Sequence, residues 1–186
     1  MSTTLQRREG YLFLALFIAC IPAANYLIHH VGTRCVPNGP CLIPLGFGIM
    51  SPSGVLMIGV ALVLRDLVQR RLGVWAGFGA VIAGAAISAF LAPPALVLAS
   101  GTAFLLSEAA DMLVFTPLQR KGLVKAAFLS SLVGLVIDSV VFLHLAFGSL
   151  AHLEGQVLGK LLMVLLALPL LALLRSRDAR LGLEPA

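Results

Sequence analysis

The chain has 186 residues, 60% of them hydrophobic and only 11% charged, with a formal net charge of +5 and a mean hydropathy of +1.04. A soluble domain needs about a quarter charged residues to solvate its surface, so this composition excludes a water-soluble globule and makes lipid the solvent around most of the chain. The positive balance does not indicate nucleic acid, because all but two of the 13 Lys and Arg residues sit at the ends of apolar runs and they form no groove-sized patch.

A bilayer core takes about 20 mostly apolar helical residues, within roughly 17–25. Six stretches qualify, each bounded by charge, proline or glycine. They predict an all-α, polytopic membrane protein, a six-transmembrane-helix bundle forming one membrane domain over residues 1–186. The first span, Tyr11–Ile28, has the basic start and small-residue end of a signal peptide. Five more spans follow it, so it is expected to be retained. Cys20 within it reads as a small apolar filler. Its Ala15, Ala19 and Ala23 form a small-residue stripe suited to packing, or to docking a partner membrane subunit. The outer loop Val31–Pro44 holds Cys35 and Cys41, a candidate disulfide on an oxidising face. His29 and His30 nearby match no zinc spacing, and no metal is expected.

The second span is Ser53–Gln69. The third, Val74–Leu91, places Ala76, Ala80, Gly84 and Ser88 at four-residue spacing beside Gly73 and Gly77, which lets helix backbones approach closely. Ala92-Pro93-Pro94 stops it and turns the chain into the fourth, Ala95–Phe115. The fifth is Ala126–Phe147 and the sixth Gln156–Leu174. Gly155-Gln-Val-Leu-Gly159-Lys160 resembles a phosphate loop but is one residue short, with Leu161 where a Ser or Thr should hold magnesium. No nucleotide site or other cofactor is implied.

Basic residues set the orientation. With the N-terminus inside, Arg7, Arg8, Arg70, Arg71, Arg120, Lys121, Lys125, Arg175, Arg177 and Arg180 are cytoplasmic and only Arg34 is outside. Both termini are therefore expected in the cytoplasm of a bacterial inner membrane.

Ionisable groups inside a bilayer cost about 2.5–3.5 kcal/mol each at a helix centre and mark solute pathways. Asp66, Glu108, Asp111, Asp138 and Lys160 fall within the predicted spans, with Arg65 beside Asp66 near the inner surface. Helical spacing places Ser100, Phe104, Glu108 and Asp111 on one face of span four. It places Ser131, Gly134 and Asp138 on one face of span five, and Gln156 with Lys160 on one of span six. Three polar stripes predict one wet interior. Lys160 can neutralise one carboxylate and Arg65 can cover Asp66, which leaves carboxylates in excess. A carboxylate accepts paired donors such as the N1–H and exocyclic amine of a guanine-like ring, while Phe104 or Phe142 could stack on its face. An organic cation would suit these groups equally well.

Asn25-Tyr26-Leu27, Arg65-Asp66-Leu67 with Gly73, the block Ala99-Ser100 through Glu108, Asp111 and Phe115, then Ser131, Gly134, Asp138 and Phe142, and finally Lys160 and Pro169, resemble in order and spacing the queuosine-precursor transporter family, also called vitamin-uptake-transporter-like. The resemblance spans roughly residues 11–174. It implies uptake of 7-cyano-7-deazaguanine or a related deazapurine for tRNA modification, and a bundle similar to the substrate-binding subunits of vitamin uptake transporters. Carried over by position, Asn25, Asp66, Ser100, Glu108, Asp111, Asp138 and Lys160 are candidate substrate-binding residues, beside Phe104 and Ser131 from the polar stripes. The family pattern has Gln at the Glu108 position and Asn at the Leu135 position, and its members lack the cysteine-bearing loop.

The expected partners are a small deazaguanine-like solute and the lipid bilayer. A homo-oligomer, an energising ATP-driven module, and proton coupling or metabolic trapping all stay open. An intramembrane enzyme is the third reading, through Ser100 in Ala99-Ser100-Gly101 and His144. It lacks an oxyanion loop and an orienting carboxylate, so no catalytic residue is expected.

Overall fold

Apolar runs interrupted only by charge, glycine and proline fold as six helices in the computed structural model, which describes residues 2–36, 40–91, 97–150 and 152–184. They are α1 (Ser2–His30), α2 (Val55–Leu72), α3 (Val74–Leu91), α4 (Val97–Leu118), α5 (Leu123–Phe147) and α6 (Leu153–Leu181). The predicted turn Ala92-Pro93-Pro94 lies outside the described residues.

Five of the six, all but α2, are long and apolar enough to cross a membrane. Their outward faces carry Phe90, Leu98, Leu113 and Leu170, all exposed, as a lipid-facing surface should. Of the six expected spans, α2 differs from the rest in its polar content. It carries Arg65, Asp66, Arg70 and Arg71, and all four are buried. The helix tolerates them because protein surrounds it: α2 packs on α1, α3, α5 and α6 and also touches α4. It is the centre of the bundle.

Two helices also outrun their predicted spans. α1 begins at Ser2 and α6 continues to Leu181, because the charges that looked like boundaries pair across helices instead. Arg71 bonds Asp178 on α6 at 2.6 Å and Glu9 on α1 at 2.9 Å. Arg70 reaches Asp178 at 3.3 Å, and Arg177 reaches Glu9 at 2.6 Å. This clamp closes the end of the bundle where α1 starts and α6 stops.

At the opposite end residues that were expected to be plain loop form a three-stranded antiparallel sheet, β1 (Arg34–Cys35), β2 (Cys41–Gly46) and β3 (Ile49–Pro52), in the order β1-β2-β3. A disulfide joins Cys35 to Cys41. Phe47 and Gly48 make the two-residue β2–β3 turn, both with positive φ (51° and 79°), the geometry that matches strand twist. The sheet is fastened to the helices. Ser53 Oγ donates to the carbonyl of Leu27 on α1 at 2.7 Å, and Gly155 at the start of α6 lies so close to the Met50 carbonyl that a Cβ could not fit.

Small residues set the helix spacing. Ala80 and Gly84 of the α3 stripe face inward, whereas Ala15 and Ala19 on α1 are exposed. A Cβ on Gly59 of α2 would stand 2.8 Å from the Lys160 carbonyl of α6, and one on Gly79 of α3 would meet nothing within 4 Å. Gly59→Val is therefore expected to lower the melting temperature of the detergent-solubilised protein, by about 1–3 kcal/mol of overpacking. Gly79→Val should leave it near wild type.

Candidate functional site

Two polar layers lie along α2 between the clamp and the sheet. The deeper one is centred on Arg65. Its Nε donates to Glu108 Oε2 on α4 at 2.8 Å, and its Nη1 donates to Gln69 Oε1 at 3.0 Å and lies 3.1 Å from Asp66 Oδ1. Its Nη2 pairs with Asp111 Oδ1. The Phe115 ring stands 5.9 Å from the guanidinium carbon. Ser130 on α5 donates to Asp66 Oδ2 at 3.1 Å, and Gln69 donates onward to Thr116 at 2.9 Å. The Arg65, Asp66, Glu108 and Asp111 side chains are at most 2% exposed. This layer is dry.

The second layer lines a cavity of about 150 Å³ bordered by all six helices, with Pro52 and Gly54 at the sheet end. Phe104 and Phe142 contribute aromatic surface, and Asn25, Ser100, Asp138, Gln156 and Lys160 contribute polar groups. Lys160 is a fixed post. Its Nζ donates to Asp138 Oδ2 at 2.5 Å, Ser139 Oγ at 2.8 Å and Gln156 Oε1 at 2.9 Å. Those three bonds use all the hydrogens an ammonium has. The Asp138 side chain keeps 14% exposure, so a carboxylate fixed on one side borders the cavity on the other. Asn25 Nδ2 donates to the Ile21 carbonyl at 3.0 Å, which leaves its amide oxygen as an acceptor.

The single wet interior expected from the three stripes is thus two separate layers. Asn25, Ser100, Phe104, Asp138 and Lys160 come together at the cavity. Asp66, Glu108 and Asp111 do not; one guanidinium gathers them behind it, because burying three acids requires a donor for each. Ser131 joins neither set, and its buried hydroxyl has no hydrogen-bond partner among the described residues. Gln156 belongs to the cavity although sequence spacing only grouped it with Lys160, and Ser88 and His29 also line it. The proposed pairing of Ser100 with His144 does not form. Ser100 donates to the Val97 carbonyl at 3.3 Å, and His144 is exposed.

Lys160→Met would strand Asp138 beside buried Ser139 and Gln156. Its expected effect is a loss of about 3–5 kcal/mol, the usual cost of removing one partner of a buried pair. Adding Asp138→Asn should return most of it, a recovery read directly in a double-mutant melting series.

Against known proteins, a family model described as "putative vitamin uptake transporter" matches residues 43–174, from β2 to α6, leaving α1 outside the match. No curated protein and no solved structure matches the chain. With more than half the chain covered, five membrane-length apolar helices and a polar cavity among them, the chain is a multi-pass membrane protein that belongs to the vitamin-uptake-type transporter family.

Proposed function

We propose that the chain imports a queuosine precursor, 7-cyano-7-deazaguanine or a related deazapurine, across a bacterial inner membrane to feed tRNA modification. The observation that carries this reading is the Asp138 carboxylate, held by Lys160 at the wall of a small cavity with Phe104 and Phe142. A fixed acceptor beside aromatic rings suits a flat solute with two adjacent N–H donors. Asn25, Ser100 and Gln156 would complete the polar edge. The cavity, about 150 Å³, is below the roughly 300–1,000 Å³ typical of drug-sized sites and suits only a small solute.

In this reading all six helices cross the membrane, α2 within a sleeve of the other five, and the fold is kin to the substrate-binding subunits of vitamin uptake systems. The clamp end, rich in Arg, faces the cytoplasm and the disulfide-bonded sheet faces outward, in accord with the basic-residue bias and with where disulfides persist. The exposed Ala15 and Ala19 favour a second reading, a capture subunit docked on an energising module. Purified protein that moves solute alone in liposomes would exclude the need for that module.

The test is rescue of queuosine in tRNA, in a strain lacking both precursor synthesis and its own carrier and supplied with 7-cyano-7-deazaguanine. Restoration is expected, and failure by a well-expressed protein overturns the substrate assignment. Asp138→Asn should weaken uptake about 10- to 150-fold, the worth of hydrogen bonds to a charged acceptor at roughly 1.5–3 kcal/mol.

A further inference from the structure

The Arg65 layer is short of positive charge. One guanidinium faces three carboxylates, Asp66, Glu108 and Asp111, so full ionisation would bury two net negative charges out of water. No surrounding element offsets them. On α2 the neighbours are Gln69, which is neutral, and then Arg70 and Arg71, which are taken by Asp178 and Glu9. α4 adds Phe115 and Thr116, and α5 adds Ser130 and, at the cavity, Asp138. α6 brings Lys160, whose three hydrogens are already given to Asp138, Ser139 and Gln156. On the α1 and α3 side the packing is apolar, with Cys20 a buried free thiol.

A second feature locates what is missing. Among the described residues Asp111 Oδ2 is buried, has no hydrogen-bond donor in bonding geometry, and stands 3.3 Å from where a Cβ on Gly134 would be. Asp66 Oδ1 likewise accepts no hydrogen bond among them and pairs with Arg65. The two terminal nitrogens of one guanidinium hold these carboxyls side by side. Two adjacent buried acceptors short of donors are an arrangement that one hydrogen would satisfy. A metal cation fits less well, because the guanidinium already occupies the centre of the oxygens.

We infer that the Asp66–Asp111 pair, braced by Arg65 and Glu108, is a binding site for an exchangeable proton. Building on the transport reading, it is the site through which solute movement is coupled to the proton gradient. Glu108 lies one helical turn from the cavity residue Phe104, so loading the cavity changes the surroundings of this layer directly.

Two measurements test the inference. Infrared absorption of the protein in lipid nanodiscs at neutral pH should show a protonated-carboxyl band that shrinks in Asp111→Asn, or in Asp66→Asn should the first variant fail to fold. Absence of that band in the wild type overturns the proton site. In proteoliposomes supplied with 7-cyano-7-deazaguanine, each pH unit of inward proton gradient should raise the steady-state accumulation about tenfold for one proton per solute. Asp111→Asn should lose that dependence. Accumulation that ignores the pH gradient, or follows a sodium gradient instead, overturns the coupling while leaving transport intact. The band without uptake under any gradient would overturn the transport reading and leave the proton site standing.

Discussion

A guanidinium placed in the middle of a bilayer-length bundle dictates much of what surrounds it. Arg65 has five N–H donors that neither lipid nor packed leucine can satisfy. The chain answers with Asp66 and Gln69 from the same helix and with Glu108 and Asp111 from α4. α5 joins through Ser130, and the missing side chain of Gly134 lets it lie against Asp111. The helix that bears such a group cannot face hydrocarbon, so α2 becomes the axis and the five apolar helices enclose it.

Function-bearing chemistry then sorts by depth along that axis. Ile58 borders the cavity, Arg65 follows about 10 Å further on, and Arg70 and Arg71 lie roughly 8–9 Å beyond that. The cavity is small and adjoins the sheet. The clamp is built from charged pairs joining α1, α2 and α6. The Arg65 layer and the clamp close the bundle on one side of the cavity with buried ion pairs.

Much of this was legible in the sequence, and the rest was hidden for physical reasons. Apolar length alone located five helices, because the hydrocarbon thickness fixes how many residues a crossing needs. Charge misleads at the ends: Glu9, Arg71 and the adjacent Arg177 and Asp178 look like solvated flanks until three distant stretches of chain meet, so the expected spans fall short of α1 and α6. The strands escape a sequence reading because Pro44, Gly46 and Pro52 break any alternating pattern, while strand pairing, the disulfide and packing on α1 and α6 hold them. Among the candidate residues, spacing correctly put Glu108 and Asp111 on the same face as Phe104. Spacing cannot say where along that face water ends, and here it ends between Phe104 and Glu108. Lys160 was expected to neutralise one acid, and its partner is Asp138; Arg65 was expected to cover one acid and holds three.

A cavity open to solvent stands directly over a layer of buried ion pairs. Single cysteines introduced by Ser100→Cys and Ser130→Cys in a Cys20→Ser background, with the Cys35–Cys41 bridge kept, test it most directly through their rates of reaction with a small water-soluble thiol reagent. Ser100→Cys should react readily, and Ser130→Cys, at the position that donates to Asp66, should stay inert in the folded protein. Equal, rapid labelling at both positions would mean that water reaches the carboxylates, and the two-layer account would be wrong.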